Sequence, residues 1–298
     1  MGTKNKKYIL TEETKVWKGR TLHRIQAVRD FGDVGKGDIG GWVETENNLS
    51  HNGLCWVYDG AIAAEESQVC ENAQLSSFAV AYGNAKIFGD SKVYDQAEIY
   101  EYSEIFDGAK VFNKARVYGY AKVFGNAKIY GNAKVFGFSV IFEYARIFSE
   151  AQIFGYALIK GYAQIYNFAQ IDGNVQIIDF VEVFDSAKIS GNVRISDYVQ
   201  VFDNAQVSGD FVLCGYAKIG SNAIVKYISD FFVFKNTWSS GRYFTYTKSN
   251  KMWFVGCFSG TGEQLIEKAY QDSKLSGRMY EEYVRIVKQL EELEKTEV

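Results

Sequence analysis

From Ala73 to Val225 the chain repeats every six residues without an insertion. A small residue recurs at Ala73, Ala79, Ala85, Ser91 and Ala97 and onward to Ala223. Two positions after most of them stands an aliphatic: Leu75, Ile87, Val93, Ile99 and onward to Val225. A short fixed period is the mark of a repeat architecture, and it constrains the fold more tightly than local propensity does. Residues two apart share one side of a strand, so the small and aliphatic slots face inward together. The residue between them and the aromatic after the aliphatic face outward. Gly, Asp and Asn fill the next two positions, where a corner needs residues that turn at low cost. If three hexads close one turn, the chain winds into a triangular coil of about 18 residues that rises about 4.8 Å. The register reaches back weakly through Ser67 and Ala61 to Cys55. The expected fold is therefore all-β: a triangular parallel β-helix with a cap at each end.

The remaining chain supplies the caps. Residues 1–54 form an N-terminal β cap, with strands read at Lys7–Thr11 and Leu22–Val28 by alternation. The glycine-rich stretch from Gly32 to Gly41 lacks the Gly-Lys-Ser/Thr of a phosphate loop, and reads as a tight loop closing the solenoid. Residues 55–225 are the β-helix. Residues 226–298 leave the register: Phe231–Phe234, Arg242–Thr247 and Met252–Cys257 read as strands, the last two joined as a hairpin through Lys248–Lys251. Thr261 is placed to cap a helix, a second helix is expected after Gly277, and Glu291–Val298 should fray. The absence of proline suits a solenoid whose strands must all donate hydrogen bonds.

Composition narrows the function classes. A net charge of −3 gives no reason to expect nucleic-acid or membrane-surface binding. No apolar run is long enough for a membrane span and no secretory leader is visible, so a cytoplasmic location is expected. The four cysteines are scattered, which predicts no disulfide framework. The two histidines, His23 and His51, lack the spacing of a zinc motif, and neither a metal nor a cofactor is expected.

The outward slots carry the binding candidates. Residues 18 apart should stack, which aligns Tyr94, Phe112, Tyr130 and Phe148 in one ladder. Tyr100, Tyr118 and Phe136 form another, with Tyr102, Tyr120 and Phe138 beside it as a double strip. Stacked rings stabilise a solenoid by about 0.5–1.5 kcal/mol per pair. A strip this long also exceeds the apolar patch a monomer usually exposes, which points to a homo-oligomer. Lys92, Lys110, Lys128 and Arg146 make a basic column that could hold an anion beside the rings. Glu98, Glu104 and Asp107 are near enough in sequence to offset it.

The aliphatic slot and the small slot four residues later, as in Val123 and Ala127, resemble the hexapeptide-repeat family. The resemblance implies a left-handed parallel β-helix, often trimeric, and often an acyltransferase. Here the aliphatic is followed by an aromatic and only then by Gly (Val123-Phe124-Gly125), where that family usually places Gly directly. A right-handed triangular solenoid, as in bacterial polymer-forming proteins, is the other arrangement. The runs Asp30–Asp33, Gly40–Val43 and Cys55–Asp59 resemble the caps of hexapeptide-repeat proteins in enteric bacteria. Trp238–Phe244 and Val255–Glu263 resemble modules of phage and prophage proteins. Members of the acyltransferase class use a histidine base at the coils, for which His51 is the weak candidate. The reading that follows is a phage-derived, non-catalytic binding or sequestering protein, directed at a host protein or a small anionic ligand in counter-defence. Its alternatives are an acyltransferase and a polymer-forming scaffold.

Overall fold

The computed structural model describes residues 6–296. Its body is a parallel β-solenoid of two-residue strands, one per hexad, from β4 (Trp56–Val57) to β32 (Ile224–Val225). Each strand pairs in register with the one 18 residues on: Lys92–Val93 with Lys110–Val111, and that with Lys128–Ile129. Three walls result. Face 1 shows the row Lys92, Lys110, Lys128 and Arg146. Face 2 shows Glu98 and Arg116, and face 3 shows Glu104, Lys122 and Val140.

Inside, Ala127 and Ile129 and their equivalents are fully buried. Each buried aliphatic contributes about 1.5–3 kcal/mol. Four serines, Ser67, Ser91, Ser103 and Ser139, replace alanine in the buried slot, and their hydroxyls donate to backbone carbonyls, as Ser139 does to Phe136 at 2.7 Å. The first corner residue takes a left-handed conformation, at φ +66° for Gly125 and +60° for Asp95. An acid there has a definite partner. Asp95, Glu101 and Glu143 accept from the backbone N–H of Asn113, Gly119 and Gly161, one coil further on, at 2.8–3.0 Å. The corner carboxylates are therefore structural, as well as solvated.

The N-terminal cap is a hairpin of β1 (Tyr8–Trp17) and β2 (Arg20–Ala27), as expected. The glycine-rich stretch departs from the expected loop. Its end is strand β3 (Ile39–Val43), antiparallel to β2 and parallel to Ile62–Ala63, so it splices the hairpin onto face 2. Gly41 has to be glycine, because a Cβ would lie 2.4 Å from the Tyr58 carbonyl oxygen. Lys7, read at the head of the first strand, is fully buried: its ammonium donates to the Cys55 carbonyl at 2.6 Å and lies 5.1 Å from the Phe31 ring centre. Met1–Asn5 lie outside the described residues.

The C-terminal unit is a four-stranded antiparallel sheet, β33 (Phe231–Lys235), β34 (Tyr243–Thr247), β35 (Met252–Val255) and β36 (Phe258–Gly260), covered by helices α1 (Gly262–Asp272) and α2 (Lys274–Thr296). Phe244, Trp253, Leu265, Tyr280 and Val284 form its own core. Thr261 caps α1 in a reciprocal box with Gln264. This sheet also seals the last coil. The N–H groups of Lys218 and Ile224 donate to the hydroxyls of Thr245 and Ser249 at 2.9 and 2.7 Å.

Two expectations fail here. The chain breaks at Ser273, and Gly277 lies inside α2. Gly277 is there for closeness: a Cβ would sit 2.3 Å from the Tyr270 ring. Nor does the chain fray from Glu291: α2 runs on to Thr296, and the Glu291 carboxylate accepts from Tyr246 and Lys251 at 2.7 Å each. Of that stretch, Glu297 and Val298 lie outside the described residues. Helix propensity would favour Gly277→Ala by about 1 kcal/mol. We expect the opposite sign, a loss of about 1–3 kcal/mol from overpacking against Tyr270, read as a lower urea midpoint.

Candidate functional site

The solenoid places the expected ladders as the 18-residue register requires. Tyr94, Phe112, Tyr130 and Phe148 stack with ring centres 4.9 Å apart. Tyr100, Tyr118 and Phe136 stack at 4.8 Å, and Tyr102, Tyr120 and Phe138 at 5.0 Å. The double strip lies on the corner between faces 2 and 3. Its outer rings are about half exposed, at 52% for Tyr102, 51% for Tyr120 and 49% for Phe138. Val140 and Leu158 pair beside it on face 3. Burial raises the pKa of Tyr118, so the inner phenol stays neutral.

The basic column does not share that corner. Lys92, Lys110, Lys128 and Arg146 stand on face 1, separated from the double strip by the solenoid's body. The column and the double strip are therefore two separate surfaces, and the rings next to the column are those of the Tyr94, Phe112, Tyr130 and Phe148 ladder. The acids expected to offset the column are also elsewhere: Glu98 pairs with Arg116 at 3.3 Å on face 2, and Glu104 with Lys122 at 2.9 Å on face 3. Among the described residues no carboxylate lies within 4.0 Å of a column cation. The rings also cannot sandwich a flat ligand mid-ladder. Their planes are within 4° of parallel, and each face already meets the next ring. Ring edges are what the ladders offer to solvent.

His51 does not have the geometry of a general base. It stacks on Tyr8 with centres 4.3 Å apart. Its Nδ1 accepts from the Lys7 backbone N–H at 3.4 Å, which occupies the lone pair of the neutral ring. The opposite nitrogen, Nε2, is buried 3.7 Å from Glu46, too far for a hydrogen bond. Burial lowers its pKa, so the neutral ring is favoured. Among the described residues no three of His, Cys, Asp or Glu converge as a metal site. No helix among them is long and apolar enough to cross a membrane.

A further cluster escaped the sequence reading. Where face 1 meets the C-terminal sheet, Lys218, Lys235 and Arg242 surround a cleft of about 620 Å³. Tyr198, Tyr216 and Tyr243 wall one side of it. These extend the ladder of Tyr144, Tyr162 and Phe180, and Tyr243 of β34 is its last rung, 4.4 Å from Tyr216. Lys218 was within reach of the repeat, since it occupies the same face-1 row as Lys92 and Arg146. Lys235 and Arg242 carried no signal, because only the docking of the C-terminal sheet brings them there.

The fold is a parallel β-solenoid built on a six-residue repeat, with an antiparallel cap at its start and a sheet and two helices at its finish. No family model matches the chain. The chain is similar to a protein of Escherichia coli (strain K12) named "Uncharacterized acetyltransferase YdcK", 34% identical over 87 residues, which cover 26% of this chain. The match spans about a quarter of that relative's own length (27%).

The state of His51 can be checked by pH. Its folded pKa lies below the unfolded value of about 6.5, so its neutral form contributes stability above that pH, and the contribution is lost as pH falls toward the folded value. Replacing it with phenylalanine (His51→Phe) keeps the stack on Tyr8 and removes the titration. We expect the urea midpoint of the native protein to drop more steeply between about pH 7 and 5 than that of the variant. Parallel curves would contradict a buried, neutral His51.

Proposed function

We propose that this chain is an acyl-transfer protein of the hexapeptide-repeat kind, holding a thioester of the coenzyme A class along face 1. The observation that carries the reading is the uncompensated column Lys92, Lys110, Lys128 and Arg146 on an uninterrupted wall. A donor with several phosphates would neutralise these stacked charges, which repel one another when unpaired. The acetyltransferase name of the E. coli relative supports the same choice. In the reaction an amine or hydroxyl of the acceptor attacks the thioester carbonyl, the carbon–sulfur bond breaks, and the sulfur leaves as a thiolate that takes a proton from solvent. The acceptor's proton passes to solvent, since the His51 lone pair is engaged. Rate enhancement would then come from positioning.

That engaged lone pair favours a second reading. Face 1 would bind a small anion, or a host protein, without turnover, as a phage counter-defence protein would. One experiment separates the two. Acetyl-coenzyme A is titrated by calorimetry, and thiol release is followed with amine acceptors. Lys110→Glu combined with Lys128→Glu should weaken binding at least roughly tenfold. Thiol release that depends on these lysines supports transfer, and binding without release supports sequestration. Unchanged binding in the variant rules out face 1 for both.

A second copy of the chain is the occupant of the double strip, with three copies around one axis as the family resemblance implies. The strip is apolar, half exposed and continuous over Tyr102, Tyr120, Phe138 and Tyr156. The sealed ends support a discrete assembly over an end-to-end filament. Light scattering of Tyr120→Lys with Phe138→Lys should give the mass of one chain where the native protein gives a multiple. An unchanged mass would remove the strip as the interface.

A further inference from the structure

The cleft at the C-terminal junction has an electrostatic feature that packing does not explain. Lys218, Lys235 and Arg242 come from three separate segments and converge on it. Among the described residues none of the three has a carboxylate within 4.0 Å. Like charges gathered in this way repel unless an anion joins them. Two of them make local contacts. The Lys218 ammonium donates to the Gly256 carbonyl at 3.0 Å, which leaves two of its N–H groups unused. Lys235 lies 5.4 Å from the centre of the Tyr243 ring. The Arg242 guanidinium reaches to 3.6 Å from where a Cβ on Gly256 would stand. Gly256 takes a left-handed conformation at φ +60°, so a side chain there would be strained as well as face Arg242.

The wall opposite is polar at its rim. Tyr216 and Tyr243 are stacked face to face, so neither offers the shared side of its ring to a ligand. The other face of Tyr243 meets Lys235. Ring edges and phenol hydroxyls remain, which suit the hydroxyl groups of a sugar better than a stacked base. A volume of about 620 Å³ is in the range of small-molecule sites.

We propose that this cleft is a binding site for a phosphate ester, with the phosphate held by Lys218, Lys235 and Arg242 and a hydroxylated body laid along the tyrosine edges. The site does not depend on acyl transfer, and it lies several coils from Lys92, Lys110 and Lys128 on the same face. A sugar phosphate and a nucleotide share this chemistry.

Calorimetric titration at low ionic strength with inorganic phosphate, ribose 5-phosphate, ADP and uncharged ribose tests it, since none of these probes carries an acyl group. We expect saturable binding of ribose 5-phosphate or ADP and none of ribose. Ribose 5-phosphate bound as tightly as ADP identifies a sugar-phosphate site, and ADP alone a nucleotide site. Lys235→Glu and Arg242→Glu should each weaken binding at least roughly tenfold, while Lys235→Arg retains it. Both positions are exposed, and unchanged thermal unfolding would show that the variants fold. Binding of none of the phosphate probes, or undiminished binding in both folded variants, would overturn the proposal. So would loss of binding on substituting Lys110 and Lys128 alone, because that would place the ligand higher on the face.

Discussion

Each coil of this protein lies directly on the previous one, so every side chain meets the occupant of its own slot one coil away. In-register parallel pairing imposes this, and most of the structure follows from it. Three inner walls converge on a narrow axis, which leaves room for alanine or serine at one inward slot through most coils, for valine at Val175, Val181, Val193 and Val199, and for a β-branched or leucine side chain at most repeats of the other. Aromatic residues in an outer slot must stack, and they do so at close to the spacing of the strands themselves. Charges in an outer slot must also stack, and the chain treats them in two ways. On faces 2 and 3 it sets opposite signs one coil apart, giving Glu98 with Arg116 and Glu104 with Lys122, although Lys134 follows Arg116. On face 1 it repeats one sign over Lys92, Lys110, Lys128 and Arg146. A fold that can pair its charges so readily and leaves one column unpaired has tolerated repulsion there, which is why that face is the functional candidate.

The same stacking creates a difficulty at each end, where the last strands have no further coil to bond. The two ends solve it differently. At the start, β3 joins face 2 as an extra rung, and the buried Lys7 ammonium takes the Cys55 carbonyl. Burial lowers the Lys7 pKa, which the nearby Cys55 partly opposes. At the finish, hydroxyls of Thr245 and Ser249 take the N–H groups of the last coil. Side-chain oxygens thus replace a strand without supplying a new edge. The C-terminal sheet that carries them also brings Lys235 and Arg242 to face 1, so the seal and the cationic cleft are products of one docking.

The repeat itself determined a great deal: the parallel triangular coil, the inward alanines, the ring ladders, the corners, and the capping of α1 by Thr261. Period-six spacing leaves one way to bury every small and aliphatic slot at once, so pattern and packing agree. With three hexads to a coil that spacing also puts Lys92, Glu98 and Glu104 on successive walls, but it leaves open which side chains pair, and there the tertiary structure decided. It gave Glu98 to Arg116 and Glu104 to Lys122. It turned Gly40 and Gly41 from loop into strand, and Gly277 from a helix start into a contact with Tyr270. It engaged the His51 lone pair, which no spacing could reveal. The cause is common to all of these. A periodic sequence fixes each residue's neighbours along the axis, but residues brought together across a corner, or by the docking of a non-repeating cap, are set by contacts between segments far apart in the chain.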